Sequence, residues 1–309
     1  MINVPHVPVM SNEVCKHLLI KKDGVYLDGT VGFGGHSQKV LDYINKDGIL
    51  IGLDLDPYAL EYSNKHLSVH LNSFSLYHAN YMKFPEIIDS LGIKKLNGML
   101  FDLGTSSYQV DSRHRGFSYM KDCDLNMRFD YGDGMTAEDF LNSTDQESLA
   151  NIIYKYSGEK KSRRIAKYIV KNAFDGKMKT TYDLRNSIEG AIGKKYLIKS
   201  LSRVFQSIRI HVNHELESLT KLLSIAFDYL EIGGRIIFIT FHSIEDRMVK
   251  ASFQNNATLC ICPKEIPICQ CNINPKIKIL TRKAIVPSNI ELNENPRARS
   301  AQMRVAEGI

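Results

Sequence analysis

A doubly wound, Rossmann-like α/β sheet with an all-helical insert after its fourth strand is the fold class this 309-residue sequence predicts. Three observations carry the prediction. Short apolar runs alternate with helical periodicity through about the first hundred residues. The alternation then gives way to helices alone. Finally, a strand of the fully buried kind returns at 233–243. A β-α-β-α-β-α-β order implies parallel strands, with ligands at their carboxyl ends.

The elements follow in order. "GVYLDG" (24–29) reads as a strand ending at Asp28, and "HSQKVLDYI" (36–44) as a helix with Val40, Leu41 and Ile44 on one face. "GILIGLDLD" (48–56) is apolar almost throughout, as a strand covered on both faces must be. Asp56-Pro57 then starts a helix, with Asp as cap and Pro at the first position. "FSLYHANY" (74–81) is a third strand, Pro85 to Leu91 a short helix stopped at Gly92, and "LNGMLFDLG" (96–104) a fourth strand. Helices fill 135–200, where Thr136 and Asp139 form a capping box and Gly193 ends a segment. One long helix is expected over 203–230, with Phe205, Ile208, Val212, Leu216, Leu219 and Leu223 on one face. A final strand is expected at 299–307. The domain reading is 1–107 and 210–309 for the sheet and 108–209 for the insert.

Composition narrows the class. At 43% hydrophobic and 24% charged residues, the chain reads as soluble and globular. No apolar run approaches the roughly 20 residues of a membrane span, and "MINVPHVPVM" is not a secretory signal, so a cytoplasmic protein with no membrane partner is expected. Six cysteines in a chain of this length are not a disulfide framework. The net charge of +6 is unevenly placed: residues 155–209 hold 15 basic and 4 acidic residues, whereas 108–154 hold 4 and 9. Such a block suits a polyanionic partner, with solvated helix faces as the plainer alternative.

The loop "DGTVGFGGHS" (28–37) resists the two common phosphate fingerprints. Aligned on Gly32 and Gly34, the dinucleotide pattern needs a third glycine where Ser37 stands. Aligned on Gly35, the P-loop pattern fails at Thr30 and at His36, which replaces the lysine. What remains is an acid, Asp28, suited to a cationic group, and glycines that let backbone approach a ligand. Asp54, nineteen residues after Gly35, can accept from ribose hydroxyls. An adenosine carrying an amino-acid tail fits best. A structural glycine turn and a nicotinamide or flavin site remain open.

Six motifs then occur in order: "DGTVGFGGHS", "DLGTSSYQVD", "RGFSYMKDCDLNMR", "FQSIRIHVNHELESL", "FHSIEDRMVK" and "NPRARSAQMRVAE". Together, from about His6 to Glu307, the chain resembles the MraW/RsmH family of ribosomal RNA methyltransferases. The resemblance implies a class I methyltransferase sheet and S-adenosylmethionine as cofactor. It implies a cytosine N4 amino group in the decoding region of 16S ribosomal RNA as acceptor, within the small ribosomal subunit. Cofactor contacts carry over to Gly34, Gly35, His36, Asp54, Tyr81, Asp102 and Gln109. Tyr81 stands where the family often has Phe, and Tyr108 where it usually has Pro, so a less rigid turn is expected before Gln109. A homodimer is compatible with the sequence.

The chemistry singles out two groups. Cytosine N4 is a poor nucleophile, so an acceptor for its N–H is needed; Asp102 is the first candidate, with Ser106 and Ser107 beside it. His242 is the second, as proton acceptor or base-positioning group. Plainer roles stand beside these: Asp102 as a cofactor anchor, His242 as a structural histidine, and Asp246 with Arg247 as a helix-start pair. The basic residues Lys160, Lys161, Arg163, Arg164, Lys167 and Lys171 would hold RNA phosphates, and Arg297 and Arg299 would contribute nearer the site. Cys260, Cys262, Cys269 and Cys271 could hold a structural zinc, but the C-x-C spacing favours reduced thiols. A small-molecule methyltransferase and a non-catalytic RNA-binding assembly factor are the competing functions.

Overall fold

In a computed structural model of the chain, residues 8–70, 73–259 and 274–309 are described. Two compact units emerge: residues 1–104 with 217–309, and residues 105–216. The changes of unit fall at 104/105 and 216/217, three residues before and seven after the 107/108 and 209/210 positions read from sequence.

The first unit opens with α1 (Ser11–Leu18), β1 (Val25–Asp28), α2 (Gly35–Tyr43), β2 (Ile49–Asp54), α3 (Pro57–Leu67) and β3 (Ser73–His78). A 3-10 turn (Tyr81–Lys83), α4 (Phe84–Ser90) and β4 (Leu96–Asp102) follow. The second unit carries α5 (Ser107–Asp111), α6 (Ala137–Ser143), α7 (Gln146–Ser157), α8 (Ser162–Phe174), α9 (Thr181–Ile192) and α10 (Leu197–Val212). After α11 (Glu215–Ile225) the sheet resumes with β5 (Leu230–Thr240), α12 (Ser243–Asn256), β6 (Ile277–Ile279), α13 (Asn289–Glu294) and β7 (Gln302–Gly308).

The seven strands run in the order β3-β2-β1-β4-β5-β7-β6. All neighbours are parallel except β7, which runs antiparallel to both β5 and β6. The near-continuous apolar strands supply both faces, because successive side chains point to opposite sides. Leu27, Ile51, Leu53, Phe101 and Phe238 enter one core with Phe84 and Phe253. Tyr26, Leu50, Leu100, Ile237 and Ile239 enter the other with Val40 and Met303. Phe101 and Phe238 stack at 5.0 Å between centroids, so β4 and β5 are joined by rings as well as by backbone.

The helical unit has its own core, including Phe140, Leu149, Ile153, Ile165, Ile169, Leu184, Leu201 and Ile208. Its helix starts are set by side chains: Thr136 with Asp139 and Thr180 with Asp183 form capping boxes, and Asp145 accepts from two backbone amides. Gly116 is held at φ 72°, and a Cβ there would lie 2.5 Å from Asp124 O and 2.8 Å from Asn126 N. Both contacts are backbone and cannot swing away. Gly116→Ala is expected to destabilise this unit by about 2–4 kcal/mol. Faster hydrogen exchange of amides in 105–216, with those of the sheet unchanged, checks it.

The single helix expected over 203–230 is two. Val212 ends α10, and His214 takes a left-handed φ of 50° before α11 begins. The break has a tertiary cause. Asn213 Oδ1 accepts from Phe129 N at 2.7 Å, and its amide donates to Met127 O and Arg209 O at 2.7 and 2.9 Å. Arg209 grips Glu215 across the break with two bonds of 2.8 and 2.9 Å. The later strands also shift. β5 starts at Leu230 and stops at Thr240, and Pro296–Ser300, with Arg297 and Arg299, is a 3-10 turn before β7. Cys260, Cys262, Cys269 and Cys271 lie outside the described residues.

Candidate active site

Three strands that neighbour one another, β2, β1 and β4, end in acids: Asp54, Asp28 and Asp102. The glycine loop runs past all three. Asp28 is only 1% exposed. Its Oδ1 accepts from Thr30 N at 3.1 Å, an Asx-type turn, and its Oδ2 accepts from the Ser37 hydroxyl at 2.7 Å. The sequence suggested that Asp28 meets a cationic ligand group. In the structure the carboxylate ties the loop to the first turn of α2, with one donor on each oxygen. Ser37, which spoils the dinucleotide fingerprint, is the residue that makes this tie.

Asp54 does similar work one strand over. Its Oδ2 accepts from Gly32 N at 2.7 Å and its Oδ1 from Asp56 N at 2.8 Å. Each carboxylate oxygen keeps a second lone pair for a hydroxyl. Ser63 on α3 donates to Gly32 O at 2.7 Å, so both polar groups of that glycine are held. Gly34, at φ 81°, is the last residue before α2, and a Cβ there would press on Ser63 at 3.2 Å. Gly35 opens α2, directly against Pro8.

Asp102 closes the row. Its backbone N–H donates to Thr30 Oγ1 at 2.7 Å, which fixes the end of β4 to the glycine loop. Its Oδ2 lies 3.8 Å from Nε2 of the buried His36, and its Oδ1 is buried with no hydrogen-bond partner among the described residues. Tyr81 packs edge-on against Phe101 at 6.1 Å and beside Gly29. The structure therefore brings Gly34, Gly35, His36, Asp54, Tyr81 and Asp102 to one end of the sheet.

The electrostatics follow from crowding acids with little water. Burial pushes Asp28 up to about 6, with Asp54 adding repulsion against the help of Ser37 and Thr30. Burial likewise pushes Asp54 up to about 6. Asp102 rises furthest, to about 7, through burial first, then the charge of Asp28, with a smaller push from Glu245. Such a site is short of positive charge.

His242 and Gln109 are placed differently. His242 caps α12: its Nδ1 accepts from Glu245 N at 3.4 Å, which leaves the ring proton on Nε2, 3.0 Å from Glu245 Oε1. The other Glu245 oxygen accepts from Phe241 N and His242 N at 2.9 and 3.3 Å. Only Nε2 faces the carboxylate, while Nδ1 meets the Glu245 backbone N–H. The helix-start pair expected between Asp246 and Arg247 is also corrected, since Asp246 binds Arg304 of β7 through two bonds of 2.6 and 2.9 Å. Gln109 belongs to the helical unit. There Ser106 N donates to Gln109 Oε1 at 3.0 Å and Gln109 N donates to Ser106 Oγ at 3.2 Å, a capping box around Tyr108. This box holds the turn around Tyr108.

Sequence reasoning missed Thr30, Ser37 and Glu245 as working residues. The first carried a signal, because Asp28-Gly29-Thr30 is a turn-forming triplet. The basic block also thins on inspection. Arg203 is bound to buried Glu159 and Arg209 to Glu215, whereas Lys160, Lys161, Arg163, Arg164, Lys167 and Lys171 are exposed.

The family model described as the MraW methylase family matches residues 3–309. A relative named "Ribosomal RNA small subunit methyltransferase H" from Clostridioides difficile is 43% identical over 98% of this chain and 99% of its own length. Relatives of the same name from Finegoldia magna and Geobacter sulfurreducens are 43% and 42% identical, each over 98% of this chain and 98% and 99% of theirs. No helix among the described residues is long and apolar enough to cross a membrane.

Proposed function

Because this chain belongs to the MraW methylase family, we propose that it methylates the N4 amino group of a cytidine in the decoding region of 16S ribosomal RNA, with S-adenosylmethionine as donor. One observation carries the reading. The orphaned Oδ1 of Asp102 ends a row of three acids pushed up to about 6, 6 and 7, beside Gly32, whose Cβ side is open. A buried acceptor without a partner calls for a donor, and a site short of positive charge suits a ligand bearing an ammonium and a sulfonium. The residues fit the cofactor: Gly34, Gly35 and His36 line its approach, Asp54 has lone pairs for ribose hydroxyls, and Tyr81 offers an aromatic edge to a base. When bound, the cofactor supplies an activated methyl group.

The protein's own part is acceptor chemistry. The N4 lone pair of cytosine is delocalised into the ring, and a carboxylate accepting its N–H draws the pair back onto nitrogen. Asp102 is placed to accept that hydrogen bond and then the proton. A value near 7 suits it, because a proton acceptor works best when its pKa lies near the operating pH. His242, with Nδ1 on the Glu245 backbone N–H and Nε2 3.0 Å from Glu245 Oε1, is the second candidate, as base-positioning group or proton acceptor. The exposed cations of α8 supply salt-dependent hold on RNA phosphates.

The test is transfer of labelled methyl from adenosylmethionine to small ribosomal subunits from cells lacking the protein, followed by nucleoside analysis. Label is expected in N4-methylcytidine. Label on a ring carbon would overturn the chemistry, and no label on RNA would overturn the function.

A further inference from the structure

The two helix starts at Lys161 and Tyr196 adjoin in the helical unit. Buried Glu159 joins them: it accepts from Lys161 N at 3.0 Å, from the Ser200 hydroxyl at 3.0 Å and from Arg203 at 3.2 Å. Burial pushes the Glu159 carboxyl up, but those three donors outweigh it and hold the group below its ordinary range. It is the one acid in 159–171 and 193–203, and at 4% exposure it is covered and internally neutralised. The outer surface therefore shows only cations: Lys160, Lys161, Arg163, Arg164, Lys194, Lys195 and Lys199.

Among these cations stands an aromatic ring. Tyr196 is 58% exposed, although a tyrosine normally covers its ring. Lys161 Nζ lies 6.0 Å from the ring centroid and Lys195 Nζ 5.6 Å. Ile198 beside it is 57% exposed, which extends the apolar surface. Neither α8 nor α10 has a side-chain cap or an acid in its first turn. Phosphate alone would need the lysines but not the ring. A ring with exposed area among cations is how single-stranded nucleic acid is held without sequence readout: a base stacks, and its flanking phosphates meet the charges.

We propose that Tyr196, with Lys161 and Lys195, is a stacking platform for one base of a single-stranded segment of the RNA substrate. This rests on the RNA reading above and adds a partner chemistry for the helical unit. The flanking cations explain why the ring can stay bare in the free protein. They also predict an attraction that falls with salt, while the stacking contribution persists.

The chain contains no tryptophan, so Tyr196→Trp in the full-length protein creates a unique fluorophore. Titration with a single-stranded oligoribonucleotide of about ten nucleotides is expected to quench that emission roughly two-fold or more. Inorganic polyphosphate of equal charge is expected to leave it unchanged. Equal response to both would show an electrostatic surface without stacking, and no response to RNA would show no platform; either overturns the proposal. In methyl transfer to small subunits, Tyr196→Ala is expected to raise KM for the RNA substrate about 5- to 100-fold at constant kcat, with Tyr196→Phe restoring it. If the wild type methylates RNA but neither the quenching nor the KM effect appears, this inference fails alone. If the wild type transfers no methyl to RNA, the functional reading fails, and the quenching still decides the platform.

Discussion

Asp102→Asn is expected to lower kcat roughly 10²- to 10⁴-fold while leaving the protein folded, because the amide cannot take a proton from the acceptor nitrogen. The pH profile separates this from simple anchoring. With Asp102 near 7 in the free protein, kcat/KM should fall as pH drops through about 7, since the protonated acid cannot accept. Bound cationic cofactor favours the carboxylate, so the corresponding limb of kcat should lie at lower pH. The asparagine variant should lose that limb. If it raises only the cofactor KM and leaves kcat and the limb in place, Asp102 is an anchor.

The same acid has a stability signature of opposite sense. Asp28, Asp54 and Asp102 all have folded values raised above 3.8, to about 6, 6 and 7. Their contribution to stability is complete below about 3.8 and is lost as pH rises through 6 to 7. At neutral pH the ligand-free protein therefore carries a cost that Asp102→Asn removes. The inactive variant should be the more stable one by about 1–3 kcal/mol at pH 8, and no more stable at pH 4. Urea titration at the two pH values checks it.

Asp246→Ala is expected to destabilise the sheet unit by about 3–5 kcal/mol. The side chains of Arg304 and Asp246 are only 9% and 16% exposed, and their paired bonds clamp α12 to β7. Removing the acid strands a guanidinium on a strand in register with Phe238. The double replacement Asp246→Leu with Arg304→Met should recover most of the loss, because the penalty comes from the unpaired charge. A lower urea midpoint for the single variant, reversed in the double, is the expected result. Equal losses in both would show that packing, not charge, holds this joint.

The parts of the fold written in local chemistry were legible. The apolar runs ending at Asp28, Asp54 and Asp102 are strands, and the Asp56-Pro57 and Thr136–Asp139 signals start helices as expected. What failed was set by distant partners. The 203–230 pattern keeps its apolar period across His214, and only the bonds of Asn213 to Met127 and Phe129 show why the helix stops. β6 is three residues long, too short to carry a period. At the site, sequence pointed to the row of acids but not to the donors that hold them. Ser37 and Thr30 each donate to one oxygen of Asp28. Arg304 could not be singled out, because its partner Asp246 is selected only by the tertiary fold, whereas Glu245 stood at capping-box spacing from His242 and was overlooked.

The placement of β7 has a consequence for how the chain is made. This strand follows every other in sequence, yet it lies inside the sheet, between β5 and β6. Residues 105–216 form a continuous stretch with a core of their own, and they emerge from the ribosome before β5, β6 and β7 exist. Domains generally fold as units during synthesis. The helical unit can thus mature while β1 to β4 wait with one side of β4 unpaired. β5 then pairs with β4 across more than a hundred residues of chain, and β7, the latest-made segment, seals the other side of β5. Such distant pairings form slowly, so the newborn enzyme spends its most vulnerable interval as an open-edged half-sheet beside a finished neighbour in sequence.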